Sequence, residues 1–284
     1  MGEARETGEV LLIVEGDDPG AVMLGAAFRR HGWRLRLLDL RFHRPTLDGV
    51  DEPPTVWLDG TSIRPDVVVN RTATTRLGLA AASALARQLA STWSARHLAA
   101  REEQGLLLAC LDLWERTSRL YNPVRTLDRR LLRPAVEAEL RAAGLPVGAA
   151  DDGEAGGKGE GRPGVCWIVD GTIVAAASLG RDKRWSATPL SAETGETITR
   201  MATMTGLRLG QIDLWQPRSD PGATTITGWR PIPLFRAFWE HTGTDVAALV
   251  VAAIVGEPPM AAPGFLAADL EPNLLDFKAQ SRRR

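Results

Sequence analysis

The chain has 284 residues, 44% of them hydrophobic, which suffices for one large domain or two smaller ones with a real core. Lys and Arg number 34 and Asp and Glu 35, so the net charge is −1 and no overall basic field invites nucleic acid. Two cysteines make neither a disulfide framework nor a zinc site, the polar start MGEARETGE lacks a signal-peptide core, and the apolar run from Val246 is too short to span a bilayer. These features together predict a soluble, cytoplasmic protein with no membrane and no nucleic-acid partner.

In chain order, EVLLIVEG (9–16) is a continuous apolar run, as expected of a strand buried on both faces. Asp17 or Asp18 can cap the helix that follows, with Pro19 in its first turn and Gly32 as its stop. RLRLLDL (34–40) and PDVVVNR (65–71) read as two more strands, and VWLDGTSI between them carries an Asp-Gly hairpin signal. Strand, helix and strand with short loops predict a parallel sheet. Two helices are expected next, at 75–90 and 97–113, and a third over 126–147, ending at Gly144.

The second half has a different texture. VCWIVDGTIVAAASL (165–179) is two apolar runs joined by Asp170-Gly171, a strong hairpin signal. A helix over 191–206, strands at 207–215 and 224–229, and helices at 233–243 and 244–256 complete an α+β unit. Between the halves lies GAADDGEAGGKGEGRPG (148–164). A phosphate-binding loop needs Gly-Lys-Ser/Thr between a strand and a helix, but Lys158 is followed by Gly159. The stretch reads as an exposed flexible coil.

Most of the chemically capable side chains have ordinary structural readings. His31 suits a helix C-terminus, and His43, His97 and His241 have no spacing to a triad or metal partner. Arg125, Arg129, Arg130 and Arg133, like Arg282 to Arg284, read as a solvated face or tail. Nine tryptophans accompany one tyrosine, and Trp215, Trp229 and Trp239 are expected to face the core.

The order of motifs resembles the ATP-grasp ligases, in particular the RimK-like and microviridin-type peptide ligases. RPDVVVNR matches the strand "R-P-D-V-V-W-x-R" that ends their first domain. Asn122, Arg133 and GLPV (144–147) fall at the spacing of their Asn, phosphate-binding Lys and "G-[IL]-P-V-P". IVDGTIVAA (168–176), GLRLGQIDL (206–214) and GWRP (228–231) stand where the family has "V-V-G-D-x-V-x-A-A", "G-L-x-[FY]-G-x-I-D-L" and "E-V-N-P". The resemblance implies an α/β protein: a small parallel, pre-ATP-grasp-like unit over 1–95, linking helices over 96–147, and a truncated ATP-grasp-like α+β unit over 165–260. Residues 148–164 would then be a bridge replacing a deleted lid subdomain, and 261–284 a tail.

The departures from the family shape the functional expectation. Arg133 stands for the phosphate-binding Lys, Val165 for the Arg that opens the hairpin strand, and Gly228 and Arg230 for the metal-binding Glu and Asn. Of the metal ligands only Asp213 remains. The resemblance therefore implies a degenerate site of Arg133, Arg184, Asp213 and Arg230, with no catalytic residue, no metal and no cofactor. Arg184 enters through the RDKRW stretch (181–185), and Arg230 is expected to pair with Asp213 across neighbouring strands. Three readings stand side by side. The first is a pseudoenzyme that binds a protein or peptide partner, such as a catalytic ATP-grasp ligase or a precursor peptide. The second is a carboxylate-amine ligase that uses ATP and Mg with a rearranged site. The third is an unrelated two-domain α/β protein, in which Asn122, Arg133 and Asp213 would not converge. Nothing in the sequence sets the oligomeric state, so a homo-oligomer stays open.

Overall fold

The computed structural model describes residues 8–48, 54–72, 95–148, 161–217 and 224–257. The helix expected at 75–90, residues 149–160 of the glycine-rich bridge and the tail from 261 lie outside the described residues. The elements run β1 (Glu9–Val14), α1 (Pro19–Arg30), β2 (Arg34–Asp39), β3 (Pro45–Asp48), β4 (Thr55–Leu58), β5 (Thr61–Ile63) and β6 (Val67–Asn70). Next come α2 (Ala95–Thr117), β7 (Arg119–Tyr121), α3 (Val124–Leu131) and α4 (Arg133–Ala142). The second half holds β8 (Gly161–Val169), β9 (Thr172–Leu179), β10 (Trp185–Ala187), α5 (Ala192–Thr205), β11 (Leu209–Pro217), β12 (Thr225–Arg230), α6 (Arg236–Thr242) and α7 (Val246–Val255).

The first unit is a parallel sheet of order β2-β1-β6-β7, with the small antiparallel sheet β3-β4-β5 beside it. Asp18 caps α1, its Oδ1 accepting from the Gly20 and Ala21 amides at 2.9 and 3.2 Å. Asp59 and Gly60 join β4 to β5 with φ of +50° and +73°, the left-handed pair that a tight two-residue hairpin requires. The fourth strand, β7, corrects the expectation that 96–147 only links the two halves. Its three residues lie between two helical patterns, too few to show an alternation of their own. The single helix expected over 126–147 is likewise two, because Pro134 has no amide to continue α3 and instead opens α4.

The second unit is an antiparallel sheet of order β10-β9-β8-β11-β12. Asp170 and Gly171 turn β8 into β9, both at positive φ. Strand β8 begins at Gly161, so four residues assigned to the flexible bridge are paired with Leu214 to Pro217 of β11. Gly161 is structural: a side chain there would strike the indole of Trp215, its Cβ only 2.5 Å from the ring. Trp215 itself is half-buried over that glycine rather than in the core.

Alternation along the central strands builds three cores. Val10, Leu12 and Val14 of β1 join Val165, Trp167 and Val169 of β8, α1 and α7 in a core shared by both units. Leu11 and Ile13 face the opposite side, against Leu111 and Trp114 of α2. Cys166 and Ile168 of β8 pack with Ile198 and Met201 of α5. The burial of both cysteines pushes their thiols up to about 12, which leaves them inert packing groups. Among the described residues no helix is long and apolar enough to cross a membrane.

A second contact ties the units at the β8–β9 turn. The Asp170 carboxylate accepts from Arg119 Nη2 at 2.7 Å, Arg208 Nε at 2.8 Å and the Tyr121 hydroxyl at 2.9 Å. Burial alone would raise the Asp170 pKa, but the hydrogen bonds from Arg208, Arg119 and Tyr121 outweigh it and hold the carboxyl below its ordinary value. A depressed carboxyl contributes stability above its unfolded pKa and loses it as pH falls through the lower folded value. Asp170→Asn keeps a residue suited to the turn and removes the charge. It is expected to cost about 2 kcal/mol at pH 7, with the deficit shrinking once the pH drops below about 4. Urea denaturation of both proteins across that range checks this; a deficit independent of pH would contradict it.

Candidate functional site

The register of β11 decides which side chains meet. Leu209 faces the shared core while Ile212 and Leu214 face α5, so Gln211 and Asp213 point to the side of the sheet that the first unit covers. Across the ladder Gln211 is opposite Arg230 and Asp213 is opposite Gly228, which puts all four positions on that face. Arg230 Nε donates to Asp213 Oδ2 at 3.1 Å. The other carboxylate oxygen, Oδ1, accepts from Gln211 Nε2 at 2.8 Å. Gln211 Oε1 in turn accepts from the Leu234 amide at 3.1 Å, anchoring the site to the chain that leaves β12.

Arg133, at the start of α4, reaches the same strand. Its Nη2 donates to the Thr227 carbonyl at 2.8 Å, its Nε to Glu137 at 2.6 Å, and its guanidinium lies 5.7 Å from the centre of the Trp229 ring. A Cβ placed on Gly228 would stand 3.3 Å from Asp213 Oδ2 and 3.9 Å from Arg133 Nη2. The absent side chain is therefore what leaves room between the carboxylate and the guanidinium. Asn122 is fully buried after β7 at φ +58°, and its Nδ2 donates to the carbonyls of Asn70 and Pro231. Asn122, Arg133 and Asp213 thus all converge on β12 and its exit, which overturns the reading of an unrelated protein with chance matches. Arg184 is not brought with them. It sits in the β9–β10 turn, at the edge of the sheet opposite β12, its amide bonded to Asp182.

One group here carried no distinct sequence signal. Gln211 lies two residues from Asp213, the spacing that puts both on one face of a strand, but its type alone points nowhere. Arg71, the last residue of the matched RPDVVVNR stretch, pairs with the capping Asp18. Among the described residues no group of three or more His, Cys, Asp or Glu is placed to hold a metal ion.

No protein-family model matches the chain, and no curated protein matches it. Solved structures do. The ATP-grasp ligase PsnB, complexed with minimal precursor, Mg and ADP, superposes with a TM-score of 0.69 at 20% identity, covering 87% of this chain and 96% of PsnB. This is the ATP-grasp fold. The macrocyclase MdnC from Microcystis aeruginosa MRC, bound with precursor peptide MdnA, gives 0.62 at 13% identity over 88% of this chain and 100% of its own. A RiPP-associated ATP-grasp ligase from Chryseobacterium gregarium, in complex with ADP and a leader and core peptide, gives 0.64 at 10% identity over 92% and 100%. In this chain Asp213 and Arg230 stand on the adjacent strands β11 and β12.

The Asp213–Arg230 pair is only partly screened from solvent, its side chains 27% and 44% exposed. Solvent at that exposure screens the pair, so its weight in stability is modest. Arg230→Ala is expected to cost about 0.5–1 kcal/mol, against nearly nothing for the exposed Arg130, and added Mg²⁺ should not restore it. Thermal denaturation of the two variants with and without Mg²⁺ tests this; recovery with the metal would show that Asp213 takes a cation once freed.

Proposed function

We propose that this protein is an ATP-grasp-like pseudoenzyme that binds a protein or peptide partner instead of turning over ATP. The observation that carries the reading is the state of Asp213. One of its oxygens is taken by Arg230 and the other by Gln211, while position 228 offers no side chain. Mg²⁺ asks for several oxygen ligands in near-octahedral array. A carboxylate already paired to a guanidinium, beside a glycine, does not fit that demand.

The bridge supports the same reading. Gly148 is tied to β12 through the Ile226 carbonyl at 3.1 Å, and β8 starts at Gly161. Twelve residues, 149–160, separate these two anchored ends. Twelve residues are too few to bury a core of their own, a length that suits a short bridge better than a nucleotide-covering subdomain. PsnB (in a structure with precursor peptide PsnA2), MdnC and the Chryseobacterium gregarium ligase are each solved with a peptide, which favours a precursor peptide or a peptide-modifying ligase as the partner class.

A ligand in hundredfold excess over its Kd stabilises the folded state by about 2.7 kcal/mol. Under this proposal millimolar ATP with Mg²⁺ leaves the melting temperature unchanged. A clear upward shift that Asp213→Ala abolishes would instead support the alternative, a nucleotide-binding carboxylate-amine ligase with a rearranged site.

A further inference from the structure

Away from the Asp213 face, a cavity of about 720 Å³ opens where the β4–β5 hairpin, the end of α2 and the starts of β6 and β7 meet. It lies at the N-terminal edge of the parallel sheet, since its lining takes Pro65 and Asp66 before β6 and Ser118 and Arg119 at β7. Its walls are mixed. Val56, Ile63, Leu113 and Trp114 are all buried and give it an apolar floor, while Arg64, Arg116, Arg119 and Arg208 line its rim.

The charges of that rim do not cancel. Arg119 and Arg208 share one carboxylate, Asp170. Asp66 lines the same cavity, and its Oδ2 accepts from the Glu9 amide at 2.8 Å. Arg64 and Arg116 are exposed and, among the described residues, have neither an ion pair nor a side-chain hydrogen bond. Among the described residues four guanidiniums thus face two carboxylates, Asp66 and Asp170, leaving two positive charges in excess over an apolar floor.

We propose that this cavity is a docking site for a short acidic peptide segment in which carboxylates alternate with apolar side chains. Arg64 and Arg116 would meet the carboxylates and the floor of Ile63, Leu113 and Trp114 the apolar side chains. A volume of this size suits a few residues of peptide, and unpaired arginines already pointed at solvent lose no internal partner on binding. A free inorganic anion would use the charge but leave the apolar floor unmatched. The proposal does not rest on the reading of the Asp213 site, because none of its residues belongs to that site.

Fluorescence anisotropy with a labelled Asp-Leu-Glu-Asp-Leu-Glu probe tests it on the full chain. Expected are saturable binding that weakens with salt, and a loss of about tenfold in affinity for the Arg64→Ala/Arg116→Ala double variant. Arg130→Ala, on an exposed turn of α3, should bind as the parent does. The double reversal Arg64→Glu/Arg116→Glu should prefer a Lys-Leu-Lys-Lys-Leu-Lys probe, which reads the site even if absolute affinity is low. Equal binding of a Gln-Leu-Gln-Gln-Leu-Gln probe, or an affinity indifferent to both double variants, overturns the proposal. Displacement of the probe by inorganic phosphate at matched concentration overturns the peptide assignment in favour of a simple anion site.

Discussion

Arg71→Ala is expected to lower stability by about 3–5 kcal/mol, the usual cost of stripping one partner from a buried ion pair. Its side chain is 1% exposed, Nε donates to Asp18 Oδ2 at 2.6 Å, and Nη2 donates to Asp18 Oδ1 at 2.9 Å. The same Nη2 lies 3.3 Å from the Pro233 carbonyl, and the guanidinium sits 5.6 Å from the centre of the Phe235 ring. One side chain therefore holds the cap of α1 in the first unit against the chain between β12 and α6 in the second. Removing it leaves the Asp18 carboxylate, only 18% exposed, without its counter-charge. Arg71→Lys should recover little, because an ammonium cannot span both carboxylate oxygens as the planar fork does. Asp18→Asn combined with Arg71→Met should lose less than Arg71→Ala alone, since no charge is then stranded. Urea denaturation of the three variants decides the matter, and a loss for Arg71→Ala below about 1 kcal/mol would falsify the account.

That pair shows where the sequence is legible and where it stops. The apolar runs at 9–16 and 165–179 announced buried strands because β1 and β8 have a core to face on both sides, and the Asp-Gly turns followed from their left-handed backbone. Asp18 could be read as a cap from its place before Pro19, yet nothing local revealed that Arg71, 53 residues on, completes it. Long-range partners are chosen by topology, which a period-2 or period-3.6 pattern does not encode. The same limit hid β7, whose three residues become a strand only because β6 lies alongside. It also hid Gln211, which matters only once Asp213 stands two residues away on one face. The pairing of Asp213 with Arg230 was accessible because the motif order fixed which strands would be neighbours. Arg184 shows the converse: a basic stretch of the right composition lies at the far edge of the sheet.

The largest expected effect concerns turnover. Purified alone, the protein should release no phosphate from ATP with Mg²⁺ and join no carboxylate to an amine. Moving a γ-phosphoryl group needs metal and cationic side chains set against the charge that develops on the phosphate oxygens. In this chain Asp213 is bound up by Arg230 and Gln211, and Gly228 contributes nothing. Arg133 is drawn to Thr227 and Glu137, and a buried Val165 stands at the strand position opposite Asp213. Loss of one such electrostatic contact typically slows an enzyme about a hundredfold to a thousandfold. Several together remove nearly all catalysis even when their effects are far from additive. A coupled phosphate-release assay with and without Mg²⁺ measures this directly. Magnesium-dependent release abolished by Asp213→Ala would overturn the pseudoenzyme reading, because it would require that carboxylate to leave Arg230 for the metal. Release that appears only when a partner ligase is added, and still depends on Asp213 here, would mean that a second chain supplies the missing cover and this one contributes half of a shared site. Release that is indifferent to Asp213 would belong to the partner's own site and leave this chain the role of a binding subunit.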